Sequence, residues 1–266
     1  MPASAAGQFA IITSAIISGA VAGKMKFLWF LAFTALWHLL VYCPLAHWIF
    51  FNPSTGNSDD AGWLNSYGVL DFAGGLVIHV ASGVSAYVLA ALIGGPIVSH
   101  KAHNKVLVLI GSALLWFGWF GFNAGSAVSA GYAAGLAFTN TQLSSATAML
   151  AWNLLEVAVD GSAGPFSGFP SAIGSATGAI VGLVGITPSA AYVSPMWSIF
   201  IGAFTTLGVF FAPRLLKKCA SCHRRAEARH RRSVAFNEPS PPSAPPPQTS
   251  RSTTLSTVSR CTASAA

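Results

Sequence analysis

The stretch DFAGGLVIHV, residues 71–80, sets an aspartate and a histidine inside a long apolar run. Each ionisable group is expensive in such surroundings unless a partner or a cavity receives it. On a helix, eight residues turn the chain about 80° beyond two full turns and raise it about 12 Å, so the two groups share a side but cannot touch. Asp71 falls near the start of an apolar segment, where a helix dipole and free N–H groups favour a carboxylate. Its structural reading is a helix cap, with Gly74 and Gly75 leaving room for a neighbouring backbone. His79 falls near mid-depth. An imidazole there either marks a pathway or proton relay, or is tied to a backbone carbonyl between helices. His38, in LWHLL, has no accompanying motif and takes the second reading.

A further stretch, LLWFGWFGFNAGSA at 114–127, interleaves large rings with glycines. Rings beside glycines can line or block a narrow passage, and Asn123 and Ser126 supply polar atoms. An aromatic belt at the membrane interface is the structural alternative. It accounts for Trp116 and Trp119 better than for Phe122, Asn123 and Ser126 together.

The elements that carry these residues follow from composition. Only 8% of the 266 residues are charged and the mean hydropathy is +0.59, whereas soluble domains carry roughly 25% charge. A soluble fold could not cover its surface with so little charge, so the chain reads as an all-α polytopic membrane protein. Seven apolar runs stand out, at about 7–23, 27–50, 68–93, 106–127, 135–159, 172–187 and 190–212. No Lys or Arg occurs from Phe27 to His100 or from Val106 to Pro213. Lys24 and Lys26, then Lys101 and Lys105, then Arg214, Lys217 and Lys218 all fall on one side of seven spans. That side is expected to be cytoplasmic, with Asp59 and Asp60 opposite, the N-terminus outside and the C-terminus inside. Gly174, Gly178 and Gly182 form one stripe of small residues, and Gly121 and Gly125 another, each suited to close helix approach in lipid.

From Lys217 the composition changes. Residues 217–266 are basic, then Pro/Ser/Thr-rich, and read as a disordered cytoplasmic tail after a membrane domain at 1–216. The net charge of +7 comes mostly from this tail and is no nucleic-acid footprint on a folded face. Cys219 and Cys222 precede His223, but no second pair completes a zinc set. No metal or cofactor is expected.

Together these segments resemble the ammonium transporter family of Amt, Mep and Rh proteins. DFAGGLVIH matches its Asp-Phe-Ala-Gly-Gly motif and the conducting histidine after it. WFGWFGFNAGSA matches its most recognisable stretch. NTQLSSATAMLAWNLLE (140–156), GAIVGLVGITPSAAYVSP (178–195), CPLAHW (43–48) and GQFAIITSAIISGAVAGKMKF (7–27) match others, in family order. The resemblance implies a transport protein and not an enzyme. It puts Phe9 and Phe122 on gate rings, Ser126 on the hydroxyl that bonds ammonium, His79 on the first of two pore histidines, and Asp71 on the carboxylate supporting the site. Trp119 and Asn123 are neighbours in the same motif. Phe50 stands where the family has a tryptophan, and a phenyl face attracts a cation less well than indole.

The resemblance implies that ammonium is drawn to the outer aromatic site and loses its proton, and that ammonia passes the Phe9 and Phe122 rings along a pore including His79. Its partners are then ammonium or ammonia, the lipid bilayer and two further copies in a homotrimer. Nucleic acid is not among them, and the plasma membrane is the expected location. The family has eleven spans. This chain resembles the third to ninth, which implies a fragment without the first two, the last two and the second pore histidine, inactive by itself. A seven-span receptor or sensor is the alternative of another class.

Overall fold

The computed structural model describes residues 3–52, 61–94, 104–159 and 168–237. Among them all regular structure is helical. This is the expected answer for backbone in lipid, because a helix satisfies its N–H and C=O groups within one segment. All seven apolar runs become helices: α1 (Ala3–Val21), then α2 (Phe27–Trp37) with α3 (Cys43–Phe50), α5 (Ala81–Ile93), α6 (Lys105–Gly125), α7 (Tyr132–Val159), α8 (Ala172–Ile186) and α9 (Pro195–Asn237). A short α4 (Trp63–Ser66) lies between α3 and α5.

Among the described residues, five helices are long and apolar enough to cross a membrane: Phe27–Phe50, Gly75–Ile93, Lys105–Gly125, Ala172–Ser189 and Pro195–Leu216. The other two differ for separate reasons. The apolar part of α1, Gly7–Val21, is shorter. α7 has 28 residues, but its sequence carries Asn140, Thr141, Ser144, Ser145, Asn153 and Glu156, of which the first four are fully buried.

Phe27–Phe50 is one span despite Pro44. The turn just before it, His38–Tyr42, is π-helical, and Cys43 N–H bonds back to the His38 carbonyl. Proline has no N–H and its ring crowds the preceding turn, and a wider turn relieves both conflicts.

The third segment corrects its expected limits. The run from residue 68 is not helical at first. The helix begins with a π turn at Gly75–Val80 that leads into α5. Its N-cap, Gly74, has φ +96°, a left-handed conformation open to glycine at little cost. His79 therefore sits one turn from a helix start and not at mid-helix.

α1, the span holding α2 and α3, and the Gly75–Ile93 helix share an apolar core of Phe9, Ile17, Trp37, Tyr42, Ile49, Val77 and Ile78. α7 and α8 pack face to face through α8's glycines. The Ser144 hydroxyl donates to the Gly182 carbonyl (2.9 Å) and the Ser145 hydroxyl to the Ala179 carbonyl (3.0 Å). Thr206 of α9 donates to the Ala148 carbonyl (3.3 Å).

The chain divides into two units, Met1–Leu216 and Lys217–Ala266. In the second, the backbone is helical through Asn237; the rest of the expected tail, like Asp59, Asp60 and Lys101, lies outside the described residues.

Candidate functional site

Asp71 is buried, 7% exposed, and caps the Gly75–Ile93 helix. Its Oδ1 accepts from the N–H groups of Gly74 (3.0 Å) and Gly75 (2.5 Å), and its Oδ2 from those of Leu76 (2.8 Å) and Val77 (3.2 Å). Four donors at the positive end of a helix offset the cost of a carboxylate taken from water. A left-handed Gly74 curls the chain so that consecutive N–H groups converge on one side chain. Gly75 lies against the ring of Pro188, with no space for a Cβ, and Phe72 N–H bonds the Pro188 carbonyl (2.9 Å). The capping loop is thereby docked on the turn that follows α8.

The cap sets where His79 stands. Its ring lies parallel to Trp119 of α6, with centroids 5.3 Å apart and planes 14° apart, and 6.1 Å from the ring of Phe122. Its Nε2 is buried and has no hydrogen-bond partner among the described residues. Trp119 is held in turn by its Nε1–H, which donates to the Thr187 hydroxyl (3.0 Å). Asn123 Nδ2 donates to the Thr141 hydroxyl (2.9 Å), which fixes α6 against α7, while Asn123 Oδ1 is buried without a partner among the described residues.

From His79 the rings continue. Phe122 meets Phe9 at 5.0 Å, and Phe9 meets Phe50 at 6.2 Å. Phe9 is buried, 5% exposed. The two rings that the sequence resemblance puts at a gate are thus in contact, although they lie on α1 and α6. Ser126 is one turn beyond Phe122, and its hydroxyl donates to the Phe122 carbonyl (2.7 Å). That leaves the oxygen's lone pairs as acceptors. A cavity of about 380 Å³ is walled by Gln8, Phe9, Gly121, Phe122, Gly125 and Ser126. A second, of about 460 Å³, is walled by Gln8, Ile11, Leu114, Gly118, Trp119 and Phe122 among others. Phe122 and Gln8 face both.

The eight residues singled out in the sequence fall into one neighbourhood with two kinds of position. Phe9, Phe50, Phe122, His79 and Trp119 form a continuous set of rings, and Ser126 opens on the same cavity as Phe9 and Phe122. Asp71 and Asn123 stand behind it, bonding backbone and a neighbouring helix. Reading the sequence missed Thr187, Thr141 and Gln8. A lone threonine or glutamine in an apolar run carries no local signal of the ring or cavity it will meet.

Comparison with known proteins identifies the family and the fold. A family model described as Ammonium Transporter Family matches residues 3–225. The chain is 42% identical over 212 residues to an ammonium transporter of Bacillus subtilis, covering 79% of this chain and 48% of that protein. It is 41% identical over 210 residues to one of Aquifex aeolicus, covering 79% and 46%. The crystal structure of Candida albicans Mep2 superposes with a TM-score of 0.68 at 36% identity, over 77% of this chain and 44% of that one. The chain spans about half the length of the relatives it matches.

Proposed function

Because the chain belongs to the Ammonium Transporter Family, we propose that it forms part of a path for ammonium and ammonia across a membrane, with Phe9, Phe50, Phe122, Ser126 and His79 along the path. The observation that carries this reading is the unbroken set of rings from Phe50 through Phe9 and Phe122 to His79. Aromatic faces attract a cation, and the Ser126 oxygen, its proton committed to the Phe122 carbonyl, accepts an N–H from ammonium. Beyond Phe9 and Phe122 the walls are apolar and a bare cation is costly, so the ion gives up its proton and neutral ammonia goes on. The Nε2 of His79, without a hydrogen-bond partner among the described residues, takes that proton. Asp71 acts through position: by capping the helix at Gly75 it sets the ring of His79 against Trp119.

Transport needs a closed path, and half the length of a relative supplies part of one. Assembly as a trimer, the plasma membrane as location, an outside N-terminus and a cytoplasmic tail from Lys217 belong to the same proposal. The test is growth of a transporter-deficient yeast on low ammonium at low external pH. Residues 1–266 alone are expected not to rescue, whereas a chain completed with the remaining spans of a relative does. His79→Ala in the completed chain should reduce uptake by at least about 10²-fold at equal protein level, the scale of removing a positioned proton carrier. Undiminished uptake would return His79 to a packing role. Ligand-dependent signalling without uptake would favour the receptor reading.

A further inference from the structure

His38 lies in the same span as Phe50 but outside the ring set, at the start of the π turn before Pro44. Its surroundings are unusual for an imidazole. Nδ1 stands 2.8 Å from the Thr34 carbonyl, and Nε2 stands 3.0 Å from the Ala10 carbonyl and 3.2 Å from the Ser14 hydroxyl. Ser14 Oγ is itself 3.0 Å from the same Ala10 carbonyl. Ala10 and Ser14 belong to α1, and Ala10 follows Phe9. We propose that His38 is a positioning residue for the Phe9 ring: a clamp between α2 and the turn of α1 that carries Phe9, whose hydrogen bonds are redistributed when the imidazole gains or loses a proton.

Two carbonyls face the two ring nitrogens, and a neutral imidazole has one N–H. With the proton on Nδ1, Thr34 is served. Nε2 then accepts from Ser14, whose hydroxyl must leave Ala10. With the proton on Nε2, Ala10 is served and the Nδ1 lone pair faces the Thr34 oxygen. The doubly protonated ring serves both carbonyls and lets Ser14 keep its bond to Ala10. From the Nδ1–H form one added proton thus changes three bonds: across the α1–α2 contact Nε2–H gains the Ala10 carbonyl and Ser14 gives up Nε2, and within α1 Ser14 regains Ala10.

The groups facing the ring are few. Trp37 and Tyr42 meet it edge-on, each with centroids 5.4 Å away, and the Tyr42 phenol is the titratable one. From α1 come the Ala10 carbonyl and Ser14. From α5, Ser85 is engaged by Trp37 Nε1–H (2.9 Å). Among the described residues no carboxylate, lysine or arginine bonds the ring. Phe9 receives the effect because the carbonyl that His38 meets belongs to its chain neighbour, Ala10, on the same turn of α1.

The proposal rests on Phe9 belonging to the path, but its test reads ring geometry and not uptake, so the two can fail separately. The whole chain is labelled with 15N-histidine and with 4-fluorophenylalanine at position 9, and studied in bilayers by solid-state NMR. His38 is assigned by its loss in His38→Gln. Across a series of buffers from alkaline to acid, Nε2 should pass from acceptor to donor as the ring gains its second proton. The fluorine line of position 9 should move with the same midpoint, and that movement should vanish in His38→Gln. If that variant does not fold, Ser14→Ala serves: the midpoint shifts while the coupling persists. A ring that keeps one protonation state throughout, a titrating ring that leaves the fluorine line unmoved, or a fluorine line moving alike in His38→Gln overturns the proposal.

Discussion

Two glycine stripes with like spacing end in opposite surroundings. On α8, a Cβ at Gly174 would meet the Glu156 carboxylate, one at Gly178 the Trp152 side chain and Ala148 carbonyl, and one at Gly182 the Ser144 carbonyl. On α6, a Cβ at Gly118, Gly121 or Gly125 would meet nothing within 4 Å among the described residues. The neighbours differ in what they offer. α7 faces α8 with serines, whose short side chains reach the carbonyls laid bare by the missing Cβ atoms. α6 sets Trp119 and Phe122 beside its own glycines, and the Phe122 ring meets Phe9 of α1. Small residues permit approach in lipid, but packing and hydrogen bonds across the seam decide whether it happens. The α8 stripe is a seam, and the α6 stripe is a cavity wall.

The largest expected effect comes from closing the seam by force. Gly182→Val drives a branched side chain into the Ser144 backbone, which cannot move as a rotamer can. It should cost about 3 kcal/mol or more, read as loss of the folded species in a denaturant titration of the detergent-solubilised chain. A stability equal to that of the native chain would remove the contrast between the stripes.

Asp71→Asn is expected to be intermediate. The amide keeps the shape and one acceptor oxygen, but gives up the charge and part of the four-donor cap. A loss of about 1–2 kcal/mol is expected by the same titration. An unchanged midpoint would mean that the converging N–H groups of Gly74–Val77 do not need a carboxylate.

Gly121→Ala should do least. With open space at the Cβ it gains helix propensity, and the chain should be unchanged or more stable by up to about 1 kcal/mol. In a chain completed with the remaining spans of a relative the same substitution sharpens the comparison. A large loss there, with none in residues 1–266, would show that another helix uses the α6 stripe as a seam.

What the sequence determined by itself is what local order and overall composition control. Scarce charge and long apolar runs require helices in lipid, since no other open segment satisfies its own backbone there. Asp71 as a cap was legible because all four of its donors lie within six residues of it. The family likeness was legible because motifs in order are a property of the chain. The tertiary structure alone decided the rest. The third helix waits until Gly75, because Gly74 turns left-handed and the loop docks on Pro188, more than a hundred positions on. Trp119 is held by Thr187, Asn123 by Thr141, and Phe9 reaches Phe122 across two helices far apart in the chain. Such pairings depend on which helix faces meet, and spacing along one helix carries no record of the face opposite. The two glycine stripes read alike for that reason, and only their neighbours made one a seam and the other the wall of a cavity.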